Sequence, residues 1–360
     1  MRIRAFKYAS PLVLYWLAYW SFTAHGFITF FPLLWSYTFI PLLELLLTPD
    51  TVNMSSTQEE IAAKDKVYDY LLYTIPVLQY AALVFFLFSL RQPDLTWIDY
   101  AGRISAMGLL CGIFGINVGH ELGHRKNKME QWFAKGLLLS SQYMHFFIEH
   151  NRGHHKRVAT WNDPATARFN EWLFSFYFRS IVYSYTGAWK IANSDMRKRD
   201  LPVSNIQNSM VQYTIIQVVF NALIILFFGW IIWTCYLLAA AMGIALLETV
   251  NYIEHYGLQR KEVASGKYER ALPHHSWNSN HVLGRLMLFE LSRHSDHHYQ
   301  ASRKYQLLRH HDNSPQMPTG YPGMMILAHV PPLFIYIMNK RIKQLQQSQA
   351  ISTKAFKTEA

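Results

Sequence analysis

At 360 residues, 51% apolar and 16% aromatic, with 34 Lys and Arg against 23 Asp and Glu, the chain is basic and rich in rings. Nucleic-acid binding would account for the charge, but not for basic residues standing beside apolar runs of about twenty residues. Its two cysteines, Cys111 and Cys235, each lie inside an apolar run, which excludes a disulfide framework and any iron–sulfur or rubredoxin-type centre within the chain.

Six stretches are apolar enough to cross a bilayer, at about 10–25, 28–47, 70–90, 99–118, 208–228 and 230–252. The start, Met1-Arg2-Ile3-Arg4, leads into the first without a small-residue cleavage site, so it reads as an uncleaved span. The His25-Gly26 region makes the first two spans a hairpin. A charged connection of about twenty residues follows at 48–69, and Trp97 and Tyr100 open the fourth span, where amphipathic rings favour the interface. The segment 119–206 carries 13 Lys and Arg against 7 acids, and 253–360 carries 14 against 7. The charge bias places the N-terminus, the 119–206 insert and the C-terminus on the cytoplasmic side, an arrangement that an even number of spans satisfies. The stretch 322–339, broken by Pro331-Pro332, reads as interfacial, and 344–360, rich in Gln and Ser, reads as a disordered tail. The expected fold is one all-α integral-membrane domain over residues 1–343, with six transmembrane helices and a polar, histidine-rich cytoplasmic cap.

Nine of the 17 histidines fall in four clusters at or just beyond predicted cytoplasmic ends of spans. His120 and His124 stand in HELGH, His150, His154 and His155 in EHNRGHH, His255 in NYIEHYG, and His294, His297 and His298 in HSDHH. Positions i, i+3 and i+4 share a helix face, so His120/His124 and His294/His297/His298 are each expected to point at one centre. No single ion accepts nine imidazoles, so the count implies two ions sharing a site. Glu121, Glu149, Asp163, Glu254 and Asp296 are the acids placed to accept the ligands' free ring N–H groups. His275, in PHHSWNSNH, is expected behind the ligands, with His274, His281 and His311 as supporting or structural residues. His25, His145, His310 and His329 are isolated and read as structural. HELGH also matches the HExxH motif of zinc proteases, with Glu121 as general base, but that reading leaves seven clustered histidines idle. A metal transporter would need a polar route, yet the last two spans offer only Asn221 and Glu248.

The motifs around these histidines resemble the membrane-bound alkane 1-monooxygenase family of the fatty-acid desaturase and hydroxylase superfamily. The resemblance runs through NVGHELGHRK, FFIEHNRGHHKRVAT with DPATA, NYIEHYGL, HHSWNSNH, LSRHSDHH, YQLLR and MPTGYPG, with PLLELLL similar to a PLLD element in span two. It covers roughly residues 28–325. Trp161-Asn162 before Asp163, and Tyr299-Gln300-Ala301 after HSDHH, depart from the family pattern without removing a candidate ligand. The resemblance implies two non-haem iron ions on the nine histidines. It further implies O2-dependent terminal hydroxylation of medium- or long-chain n-alkanes in the inner (cytoplasmic) membrane. Electrons would come from rubredoxin and an NAD(P)H-dependent rubredoxin reductase. Xylene- or cymene-type methyl hydroxylases and membrane fatty-acid desaturases or hydroxylases are the alternatives with the same ligands. In the family, a bulky residue five positions before PLL[DE] restricts chain length; here that position is Ser36, with Trp35 adjacent, so both are candidate tunnel residues.

Overall fold

The computed structural model describes residues 5–358, with side chains described as far as residue 347. The expectations for residues 1–4 and 359–360 lie outside the described residues. Nearly all regular structure is helical. A 3-10 turn over Lys7–Leu12 leads into α1 (Val13–Thr23), and α2 (Gly26–Leu46) follows after a two-residue turn. The connection at 48–69 contains α3 (Ser56–Lys64), whose start is closed by a capping box between Ser55 and Gln58. Then come α4 (Val67–Ser89), α5 (Trp97–Gly123), α6 (Lys128–Ser140) and a helical run α7 over residues 146–157. The long helices α8 (Leu173–Arg197) and α9 (Ser209–His255) precede a small hairpin of β1 (Glu262–Ala264) and β2 (Lys267–Tyr268). The short helices α10 (Val282–Met287), α11 (His294–Tyr299) and α12 (Tyr321–Ala328) lead to α13 (Pro331–Thr358).

Among the described residues four helices, α2, α4, α5 and α9, are long and apolar enough to cross a membrane. At 47 residues α9 would extend roughly 70 Å if straight, more than twice a hydrocarbon core. It reverses instead at Gly229, whose φ of 82° and ψ of 166° suit only a residue without Cβ. Trp233 Nε1 donates to Asn221 Oδ1 at 2.7 Å, and the rings of Phe220 and Tyr236 meet 6.0 Å apart, so the two halves run back alongside each other. These two halves coincide with the stretches expected at 208–228 and 230–252. Pro331 and Pro332 open α13 rather than break it, because the first turn of a helix needs no N–H from them. That helix continues through Thr358, into the stretch from 344 expected as a disordered tail.

Three of the chain's tight turns gather at one end. Asp99 accepts hydrogen bonds from the backbone N–H of Gly26 at 2.6 Å and of Thr96 at 2.8 Å. Arg103 donates to the carbonyls of Ser89 and Ala24, and Arg91 to that of Phe227 beside the Gly229 reversal. The opposite end carries the polar cap. There α2 meets the cap through Glu44, which is buried and accepts the N–H of Gly284 at 2.6 Å. Gly320 lies so close that a Cβ on it would fall 1.9 Å from Glu44 Oε2. One acid thus ties α10 to the membrane-facing half by a hydrogen bond, with the start of α12 packed closely against it.

Candidate metal centre

Nine buried or nearly buried imidazoles meet at the cap end of α5 and α9. His120 and His124 close α5; His150, His154 and His155 lie on α7; His255 ends α9; His294, His297 and His298 lie on α11. They form two groups in which the facing nitrogens lie within 4.8 Å of one another. His120, His124, His150, His155 and His297 make one; His154, His255, His294 and His298 make the other.

In the five-histidine group the Nε2 atoms trace a closed ring. The edges are His120–His124 3.0 Å, His124–His150 3.2 Å, His150–His155 2.9 Å, His155–His297 3.2 Å and His297–His120 3.0 Å. Adjacent nitrogens around an ion with metal–nitrogen bonds of about 2.1 Å lie about 3.0 Å apart, so these edges fit one coordination sphere. The four-histidine group shows the same spacing, with His154–His298 at 3.2 Å and His294–His255 at 3.1 Å. Burial holds the rings of His150, His155, His294 and His298 well below the usual histidine range, so they are neutral and their nitrogens are free to bind a metal.

The partition of the ligands differs from the α-helical expectation at two places. On an α-helix His150 and His154 would share a face, about 40° apart. Residues 150–154 instead form a π turn, in which the N–H of His155 bonds to the carbonyl of His150. The extra residue in that turn brings His155 beside His150 and sends His154 to the neighbouring group. On α11, His294 and His298 remain together, but His297 joins the five-histidine group. Adjacent positions diverge by about 100° on a helix, and α11 stands between the two groups, so its rings serve both.

The acids behind the rings divide as well. Asp163, fully buried, accepts from His154 Nδ1 at 2.9 Å and from Thr166 Oγ1 at 2.6 Å. Burial alone would raise the Asp163 pKa, but the His154 ring outweighs it and holds the carboxyl down to about 2. Glu254 sits differently from the expectation: its Oε2 is 3.2 Å from His294 Nε2, on the metal-facing side, while Oε1 accepts from Tyr321 Oη at 2.8 Å. Glu121, Glu149 and Asp296 hydrogen-bond to none of the nine rings among the described residues. Arg125 and the N–H of Tyr305 take Glu121, and Arg157 takes Glu149. Asp296 is filled by Arg303, the N–H of Arg309 and His311 Nε2, the last at 2.7 Å. A buried acid left beside a cation spends its lone pairs there rather than on an imidazole. With Glu121 so engaged, and His120 and His124 sharing a group with three further histidines, the zinc-protease reading of HELGH loses its general base.

His275 lies outside both groups. Its Nδ1 accepts the N–H of Leu272 at 3.0 Å and its Nε2 faces Glu269 Oε1 at 3.3 Å. It forms a third cluster with His274 and Glu269, but accepting through Nδ1 leaves the proton on Nε2, the nitrogen that faces the cluster. That ring is therefore a hydrogen-bonded residue of the cap. His25, His145, His310 and His329 also stand apart from both groups.

A narrow apolar cavity of about 60 Å³ lies next to the ligand-bearing segments. Ser36, Tyr37 and Ile40 of α2 line one wall, Gly112, Ile113 and Asn117 of α5 another, and Leu246, Leu247 and Val250 of α9 a third. Asn117 stands three residues before His120, Val250 four before Glu254, and Leu291, also in the wall, three before His294. The cavity's inner end is therefore one helical turn from the metal-facing nitrogens. Of the two tunnel candidates, Ser36 lines this wall, whereas Trp35 turns away and its ring lies 6.1 Å from that of Phe39. Both sit in a π turn over Trp35–Phe39, and a second π turn, Cys111–Ile116, forms the facing wall.

Thr166 and Tyr321 are supporting residues to which the sequence reading assigned no role, although both stand inside motifs it had marked, DPATA and MPTGYPG. The one local signal for a diverted acid was Arg125, four residues after Glu121 on the same helix face.

Residues 95–328 match the family model described as fatty acid desaturase. The chain is 37% identical over 334 residues to an alkane 1-monooxygenase of Pseudomonas putida, covering 93% of this chain and 82% of that protein. It is 38% identical over 312 residues to an alkane 1-monooxygenase of Alcanivorax borkumensis, covering 87% and 77%. The hydroxylase component of a xylene/toluene monooxygenase of Pseudomonas putida is 26% identical over 243 residues, covering 68% and 64%.

Proposed function

The chain belongs to the fatty acid desaturase family and, within it, to the alkane 1-monooxygenases, and from that membership we propose that it hydroxylates the terminal carbon of medium- or long-chain n-alkanes. The observation that carries the reading is the pair of imidazole groups at coordination spacing, set at the inner end of a slot lined by aliphatic side chains. One atom of O2 enters the alkane as a primary alcohol and the other leaves as water, with two electrons and two protons consumed.

Nine imidazole donors and few carboxylates favour a first-row transition metal, and two iron ions, one held by each group, would complete the site. The metals supply the oxidising power that an unactivated C–H bond requires, for which no side chain offers an acid–base handle. The chain's own residues do the rest. Asp163 fixes the His154 proton on Nδ1 and so turns Nε2 toward its ion. Tyr321 steadies Glu254 beside His294. Leu246, Val250, Leu288 and Leu291 exclude water and align the hydrocarbon end-on, and Ser36 leaves the slot open to chains longer than about twelve carbons.

Six crossings follow if α1 and both halves of α9 join α2, α4 and α5 in the membrane, with the histidine end in the cytoplasm of a cell whose inner membrane holds the enzyme. Electrons come from rubredoxin, reduced by an NAD(P)H-dependent reductase. An acidic carrier suits a chain of net charge +11.

The test is conversion of an n-alkane series by cells producing the chain together with rubredoxin and its reductase, with iron counted on the purified protein. Primary alcohols and two irons per chain are expected. No alcohol, or one metal per chain, overturns the proposal. A preference for p-xylene over alkanes would move the chain to the methyl hydroxylases.

A further inference from the structure

Beside the inner slot lies a second cavity of about 370 Å³, which shares two wall residues with it, Tyr37 and Leu246. This outer cavity is bounded by Leu33 on α2, Tyr177 on α8, Thr249 on α9, and Ile326 and His329 at the end of α12. Around its mouth Leu34, Ile326, Val330 and Leu333 are exposed, and α8 turns Phe174, Phe178, Val182 and Tyr183 outward. A rim of aliphatic residues and outward aromatics on a helix beside it faces lipid, not water.

The partition between the two cavities is thin. The Tyr37 hydroxyl donates to Met325 Sδ at 3.8 Å, and Met325 is itself a wall of the inner slot. One rotamer change at Tyr37, releasing a weak sulfur contact, would join the two spaces. At the lip three polar groups stand together in otherwise apolar surroundings: Tyr177 Oη bonds to Thr249 Oγ1 and lies 3.5 Å from His329 Nε2, whose Nδ1 is 2.8 Å from the Met325 carbonyl oxygen. A pure hydrocarbon needs no such groups. A hydroxyl leaving an apolar slot does, since an unpaired hydroxyl is costly there.

The geometry assigns this gap as a lateral door between the bilayer and the slot: the alkane enters past Tyr37 and Leu246, and the alcohol leaves with its hydroxyl handed to the Tyr177–Thr249–His329 lip. The assignment rests on the alkane reading above, yet it is testable without turnover.

Protein in liposomes is irradiated with a long-chain alkane bearing a diazirine, and labelled peptides are mapped. Label is expected both at the mouth, in residues 326–333, and inside, in residues 287–291. With Leu246→Trp the inner label should fall about tenfold while the mouth label stays; with Leu246→Ala it should rise. With His329→Leu, labelling by the corresponding diazirine alkanol should fall at the lip while alkane labelling is unchanged. Inner label indifferent to both Leu246 variants overturns the door. Alkanol labelling indifferent to His329→Leu overturns the lip. Inner label that responds as expected in a protein that forms no alcohol would leave the door standing and remove the hydroxylase reading instead.

Discussion

The two histidine groups lie side by side but are built on different terms. The first takes five imidazoles from α5, α7 and α11, and no carboxylate stands among its facing nitrogens in the described residues. The second takes four from α7, α9 and α11, with Asp163 behind His154 and Glu254 beside His294. An ion in the first group would meet imidazoles alone; an ion in the second would meet fewer imidazoles, with two acids to offset its charge. Charge compensation of this kind sets metal affinity and redox preference as firmly as the ligands do. Identical side chains thus provide two sites that are not interchangeable.

The largest expected effects break one site and spare the other. His297→Ala and His298→Ala change neighbouring residues, yet the first should empty the five-histidine site and the second the four-histidine site. Each should lower turnover more than about a hundredfold, since loss of a mere supporting partner already costs 10–100-fold. Iron content with Mössbauer spectra distinguishes the residual ion, and identical spectra from the two variants would refute the partition. Asp163→Asn comes next. It should weaken metal retention by about 10–100-fold in the four-histidine site alone, measured by chelator competition. Gly320→Ala is milder: its Cβ collides with Glu44, displaces the start of α12 and so Tyr321, and should loosen Glu254 without touching the other group. Thermal unfolding and metal occupancy report it together. Ser36→Trp, outside both groups, should leave metal content at two and cut conversion of the longest accepted alkanes about tenfold or more. An unchanged chain-length profile would show that Ser36 does not set the slot's length.

Much of this was legible in the sequence because the histidines are clustered locally, and clustering survives any error in local geometry. Their assignment to two groups was not legible. It depends on the π turn at 150–154, where one added residue exchanges the places of His154 and His155, and periodicity counted at 3.6 residues per turn has no means of seeing it. The roles of the acids depended on partners far along the chain: Asp296 is met by Arg309 and His311, and Glu254 by Tyr321. Ser36 was reachable only through the family resemblance, counting back from PLLELLL, while its neighbour Tyr37, which also lines the slot, carried no signal beyond being aromatic. The hairpin at Gly229 was readable as two adjacent apolar runs, whereas its cause, a backbone conformation reserved for glycine, was visible only in the dihedral angles.

That glycine decides more than the shape of α9. Were the reversal lost, one helix of roughly 70 Å would emerge from the bilayer on the side opposite its start. His255, and with it His294, His297 and His298 further along the chain, would then be parted from the five histidines of α5 and α7 by the full thickness of the membrane. Whether the two groups can assemble is in this sense settled during insertion, before any metal is available. Gly229→Leu should therefore give a chain that reaches the membrane with everything after residue 229 misplaced and with both histidine groups divided.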